Sequence, residues 1–270
     1  MKIIQNPNLN INFSARNKNI RKADDIMRKA KCAFPVISST YVDTFYKTVS
    51  NNNQNSARRE KTIRISDKIN DFIHKLRDTT DRVDYFDNAI GNNIPYSNTL
   101  RVTSLYKLGN CEEAAAVALS ALIANGYTNS HRANLGLQVD FENKKTGKIE
   151  DSRKELLDHT FVVTTLDKKN PKMKDIIVVD PWMGFTDSVS GAISKFKSVY
   201  DNNENSNTIN TAKSMFKAEQ EKKYGKIINF NDYNIRTKLI IFPRDKHDKK
   251  FNNKLAEHIK EFYPEIILDE

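Results

Sequence analysis

The segment Cys111-Glu112-Glu113-Ala114-Ala115-Ala116-Val117-Ala118-Leu119-Ser120-Ala121-Leu122-Ile123-Ala124 constrains the fold more than any other stretch of the chain. Beyond its first turn it carries no charge and is apolar on every side, so the pattern predicts a buried helix. Its ends are marked by residues suited to them. Asn110 is a good N-cap, Glu112 and Glu113 sit in the first turn where carboxylates complement the helix dipole, and Asn125-Gly126 closes the far end. Cys111 then occupies the first helical position.

The first 90 residues read as helical. Ile20, Ala23, Ile26, Met27 and Ala30 recur at helical spacing between Asn19 and Lys31, and Phe34-Pro35 ends that helix because proline drives its predecessor out of the helical region. A second helix is expected over Tyr41 to Thr48, ahead of the Asn-rich loop at 51–55. A third starts at Ser66 as N-cap, with Ile69, Phe72, Ile73 and Leu76 on one face. Gly91-Asn92-Asn93-Ile94-Pro95 is a strong turn cluster and marks an internal boundary.

After the central helix come segments of strand character: Leu137 to Phe141, His159 to Leu166, Asp175 to Asp180, Lys226 to Phe230 and Arg236 to Phe242. Asn143-Lys144-Lys145-Thr146-Gly147 and Lys168-Lys169-Asn170-Pro171 read as turns between them. Strands that follow one another through short turns favour an antiparallel sheet. Helices over 187–200 and 211–223 are inserted before the last strands, and Leu255 to Phe262 forms a terminal helix. The expected class is α+β, divided into a helical region (1–90), a core (91–245, with the helical insertion at 187–223) and a helical tail (246–270).

Composition narrows the functions available. The 270 residues hold 44 Lys and Arg against 34 Asp and Glu, a net charge of +10, with 38% hydrophobic residues, which fits a folded, soluble chain. No run approaches the roughly 20 apolar residues of a membrane span. The amino terminus turns polar after Ile3-Ile4, so no secretory signal is expected and the cytoplasm is the expected compartment. Cys32 and Cys111, the two cysteines, suggest neither a disulfide framework nor a zinc module. Cys32, beside Ala33-Phe34-Pro35, reads as inert packing. The lysines are dispersed and mixed with acids, without a nucleic-acid motif, so a solvated basic surface is favoured over specific nucleic-acid binding. An acidic partner protein held by that surface is the alternative to an enzyme.

Chemistry concentrates on three residues. Cys111 stands where unpaired backbone N–H groups and the positive end of the helix dipole favour thiolate over thiol and can hold an oxyanion. A thiol nucleophile needs a base, and His159 opens the strand His159-Thr160-Phe161-Val162-Val163. The base needs an orienting partner: Asp180 ends Ile176-Ile177-Val178-Val179-Asp180, and if the two strands are antiparallel neighbours, both residues lie at one edge. Asp158, Asp167 and Asp187 are rival acids, and His131 is a rival base in a loop. His74, His247 and His258 read as surface residues. Glu112 and Glu113 oppose a thiolate at Cys111 unless their side chains point to solvent or cap backbone groups. Trp182, the single tryptophan, is placed to pack over the His159–Asp180 pair, or simply to fill core space.

Gly109-Asn110-Cys111 opening an alanine-rich helix, Asp158-His159-Thr160-Phe161-Val162-Val163, and Val179-Asp180-Pro181-Trp182 together resemble the signature blocks of papain-like and transglutaminase-like thiol enzymes. Bacterial effectors and toxins that cleave or deamidate host proteins look most similar. The resemblance covers residues 91–245 and implies a papain-like core with Cys111 as nucleophile, His159 as base and Asp180 as orienting acid. It implies a protein substrate, no cofactor and no metal, and delivery into a host cell by a specialised secretion system. Members of this superfamily commonly supply a second oxyanion donor from a Gln upstream of the cysteine. No Gln lies between Gln54 and Cys111, which leaves Asn98 and Tyr106 as the nearest polar candidates beside Asn110 and the Cys111 N–H. Without a calcium-loop motif, a hydrolase or deamidase is favoured over a calcium-dependent transglutaminase.

Overall fold

The computed structural model of the chain describes residues 7–36, 56–89, 96–165, 175–200, 204–225, 227–244 and 249–268. Along the chain the elements are α1 (Pro7–Ala33), α2 (Ser56–Ala89), α3 (Ser97–Tyr106), α4 (Cys111–Ala124), β1 (Asn129–Asn143), β2 (Ile149–Thr165), β3 (Ile176–Asp180), β4 (Phe185–Ser188), α5 (Val189–Tyr200), α6 (Glu204–Tyr224), β5 (Tyr233–Pro243) and α7 (Lys249–Phe262), with short 3₁₀ turns at Phe230–Asp232 and Pro264–Ile266. The protein is α+β. Its strands form one sheet in the order β4-β3-β2-β1-β5, antiparallel at every pairing.

Helix α4 lies in the core as its apolar surface requires, with every residue from Glu113 to Ala124 buried. Its carboxyl end closes in a Schellman motif. Gly126 adopts φ +88° and donates to Ile123 O, while Tyr127 N–H reaches Leu122 O at 2.9 Å, satisfying carbonyls the helix leaves open.

The sheet separates two apolar clusters. On one face Val162, Ile177 and Val179 pack with α4, with Ala23, Ile26, Met27 and Ala30 of α1 and with Phe34 just after it, joined by Leu255 and Ile259 of α7. On the other, alternate residues of β1 from Ala133 to Phe141 meet Phe196 of α5 and Phe216 of α6, the alternation expected of a pleated strand. Burial of Ile26, Met27 and Phe34 contributes roughly 1.5–3 kcal/mol each, so α1 is an integral wall around α4.

Several elements depart from the sequence reading. Helix α2 begins at Ser56 and carries Ser66 in its interior, because Ala57 to Lys61 are strong helix formers uninterrupted by Gly or Pro. Strand β2 extends back to Ile149, and β1 begins at Asn129. Of the strand expected over Lys226 to Phe230, the described residues from Ile227 on are not extended in a sheet: Phe230–Asp232 is a 3₁₀ turn capped by Asn229, whose side chain accepts from Asn231 N–H, and β5 starts only at Tyr233. Residues 187 and 188 belong to β4, and α5 begins at Val189. The helix expected over Tyr41 to Thr48, the turn at Lys168 to Pro171, the boundary at Gly91 to Pro95, His247 and Asp167 lie outside the described residues.

Candidate active site

Strands β2 and β3 pair antiparallel with Val162 opposite Val179, which places the carboxyl end of β3 beside the part of β2 that carries His159. His159 Nε2 lies 2.6 Å from Asp180 Oδ2, and the two side chains are 2% and 0% exposed. Asp180 is fixed in turn because its Oδ1 accepts the Met183 N–H at 2.9 Å. Burial alone would lower the His159 pKa. Hydrogen bonds to Asp180 and to the Cys111 side chain, with the charge attraction of both, outweigh it and push the value up to about 9. Since Nε2 is engaged by the carboxylate, Nδ1 is the nitrogen left for the thiol. Phe161, Phe196 and Tyr200 pack their rings within 6 Å of the imidazole and limit water around it.

A backbone irregularity aims His159. The β1–β2 register passes from Asn134 opposite Thr160 to Gly136 opposite Leu156, so three residues of β2, Leu157 to His159, face one of β1. Such a bulge turns side chains out of the regular alternation and recurs beside active sites. Gly136 makes room for it: a Cβ there would stand 2.0 Å from the Phe242 ring and 2.9 Å from Glu155 O.

Asn110 precedes Cys111 in an extended conformation (φ −112°) as the N-cap of α4. The first intrahelical bond runs from Ala114 N–H to Asn110 O, so the N–H groups of Cys111 and Glu112 have no intrahelical acceptor and are available as anion donors. Half of a capping box is firm, with Asn110 N–H donating to Glu113 Oε2 at 2.7 Å. The reciprocal half is loose: Asn110 Oδ1 is buried without a partner at hydrogen-bond geometry.

The two glutamates beside the thiol are neutralised. Arg77 of α2 grips Glu113 with Nε at 2.5 Å and Nη2 at 2.8 Å. Burial would raise the Glu113 pKa, but the Arg77 bonds and charge, with the Asn110 and Glu113 N–H groups, hold it below the ordinary carboxylate value. Glu112 Oε1 accepts from Arg132 at 2.9 Å and from Arg244 at 2.7 Å. The opposition to a thiolate anticipated from the sequence is thus countered by three guanidinium groups.

Trp182 follows Asp180-Pro181 and lines a pocket against α1 and α4. Asn98 Nδ2 donates to Asp84 Oδ1 at 2.8 Å, and Tyr106 is 49% exposed with its ring edge-on to Phe72. His131 lies within β1 opposite Val163, not in a loop. Asp158 is exposed on β2, and Asp187 pairs with Lys195 at 3.0 Å. Cys32 is exposed, not packed in the core, because the buried stripe of α1 runs through Ala23, Ile26, Met27 and Ala30 and Cys32 falls on another face. His258 is not a plain surface residue: both ring nitrogens are buried without partners beside Phe262 and Tyr263, and burial lowers its pKa. Among the described residues no cluster of three or more His, Cys, Asp or Glu could hold a metal ion, and no helix is long and apolar enough to cross a membrane.

The sequence reading missed the three arginines, which lie 36, 20 and 132 residues from their glutamates, and the bulge, for which an isolated glycine in a strand was the available signal. No protein-family model, curated protein or solved structure matches the chain.

Proposed function

We propose that this protein is a papain-like thiol amide hydrolase acting on a protein substrate, as a protease or a glutamine deamidase. The observation that carries the reading is the buried His159–Asp180 pair at 2.6 Å, with the Cys111 side chain, at the amino terminus of α4, also acting to raise the His159 pKa. A central helix bearing the thiol at its start, packed on an antiparallel sheet that supplies the His and the acid, is the arrangement the resemblance implies.

The chemistry follows from the placement. His159 takes the Cys111 proton and stays protonated through neutral pH, its imidazolium stabilised by Asp180. The Cys111 sulfur attacks the amide carbonyl, forming the C–S bond, and the oxyanion is held by the Cys111 N–H. His159 delivers its proton to the leaving nitrogen as the C–N bond breaks, releasing an amine or ammonia and leaving a thioester. A water molecule, deprotonated by His159, attacks the thioester carbonyl, and cleavage of the C–S bond returns the thiolate. Arg77, Arg132 and Arg244 keep the neighbouring carboxylates from opposing this cycle.

The test is proteome-wide mass spectrometry of a eukaryotic cell lysate incubated with the wild type or with Cys111→Ala. New amino termini present only with the wild type establish a protease, and new glutamine-to-glutamate conversions a deamidase. Identical lysates overturn the reading and favour a non-catalytic protein that binds an acidic partner through its basic surface.

A further inference from the structure

Beside the triad lies a pocket of about 210 Å³. Its walls come from three parts of the chain: Ala30 of α1 with Phe34 just after it, Ala114 and Ala118 of α4, and Pro181 and Trp182 of the turn after β3. The first two elements pack on each other through the core, and the third continues directly from Asp180. Ala114 and Ala118 stand three and seven residues after Cys111, which puts them on the same helix face as the thiol. Lys31, at its edge, is the charged residue among the lining groups.

We infer that this pocket is a substrate subsite for one apolar, ring-sized side chain next to the amide under attack; this rests on the thiol-hydrolase reading above. Three features argue for that occupant. A cavity of about 150 Å³ lined by apolar side chains binds benzene, so the space here suits one aromatic ring. Alanine at positions 30, 114 and 118 keeps the space open, where a larger residue would fill it. Ala114 stands about one helical turn from Cys111 and Pro181 follows Asp180 directly, so a chain that presents its carbonyl to Cys111 can seat an adjacent side chain there. The wall supplied by α1 gives the amino-terminal region a part in substrate choice.

The inference is tested on the full chain with chloroacetamides bearing N-methyl, N-isobutyl or N-benzyl groups. The Cys111 sulfur displaces chloride, forming a C–S bond as the C–Cl bond breaks. Rates at Cys111 and Cys32 are read from the same samples by peptide mass spectrometry, and the exposed Cys32 serves as internal reference. The N-benzyl reagent is expected to label Cys111 about tenfold faster than the N-methyl one, from burial of the ring, while the ratio at Cys32 stays near one. Val36→Trp, which places a ring at the pocket's rim, is expected to reduce the Cys111 ratio severalfold. Equal rates at Cys111 for all three reagents, in protein whose Cys111 reacts rapidly with iodoacetamide in a His159-dependent manner, overturn the subsite and leave the hydrolase reading standing. A Cys111 that reacts with iodoacetamide no faster than Cys32 overturns both.

Discussion

Arg77→Met tests whether the amino-terminal helices are part of the catalytic apparatus. The substitution keeps much of the side-chain volume and helix propensity but removes both bonds to Glu113. The side chains of Arg77 and Glu113 are 31% and 10% exposed. Removing one partner of a fully buried ion pair costs about 3–5 kcal/mol. Water can reach this site from the Arg77 side, and Asn110 N–H still satisfies one Glu113 oxygen, which brings the expected loss to about 2 kcal/mol. For a chain of this size that is a fall in Tm of about 4–8 °C. A second consequence is chemical: an uncompensated carboxylate two residues from Cys111 slows its alkylation by iodoacetamide near neutral pH. Adding Glu113→Gln removes the charge while keeping a carbonyl oxygen for Asn110 N–H, so the double variant should regain most of the labelling rate and at least about 1 kcal/mol of stability. Differential scanning calorimetry and timed labelling of the four proteins complete the cycle. A melting temperature for Arg77→Met within about 1 °C of wild type, or a double variant that loses the sum of the single losses, would refute the clamp.

Two further expectations concern His159. Its folded pKa of about 9 lies above the ordinary 6.5, so the stabilisation it brings is fully present below pH 6.5 and disappears as pH rises through 9. Its size is roughly 3 kcal/mol, measurable as a fall in urea midpoint between those pH values. Asp180→Asn should flatten that fall, and a wild-type midpoint independent of pH would contradict the pairing. Gly136→Ala should cost about 1–3 kcal/mol, because the new methyl meets Phe242 and the Glu155 carbonyl. It should also slow Cys111 labelling through displaced His159; full reactivity in the folded variant would show that the bulge does not position the base.

The sequence was most legible where one kind of interaction decides the outcome. Helix α4 could be read with both ends because it is apolar beyond its first turn and because Glu113 and Gly126 each satisfy backbone groups within a few residues. His159 and Asp180 were found because two apolar strands ending in polar residues can bring those ends together only when paired antiparallel. Strand β2 before Leu157 was not legible: Asp151-Ser152-Arg153-Lys154-Glu155 carries no apolar side and is extended because β1 pairs with it. Helix α2 gives no stop signal between Ser56 and Ser66, so its start could not be placed from periodicity. Cys32 was misjudged from apolar neighbours, although helical phase decides which α1 residues face the core. The clamps on Glu112 and Glu113 join residues distant in sequence, and only the packing of α2, β1 and β5 around the start of α4 brings them together.

The central claim is that Cys111 and His159 work as an activated pair. The most direct measurement is the rate of Cys111 alkylation by iodoacetamide from pH 5 to pH 9, resolved from Cys32 by mass spectrometry, in wild type and His159→Ala. The exposed Cys32, labelled in the same samples, gives the baseline. The account predicts rapid Cys111 labelling at pH 6–7, well above that baseline and at least about tenfold slower in His159→Ala. Labelling of an accessible Cys111 at the Cys32 rate, unchanged by loss of His159, would contradict it.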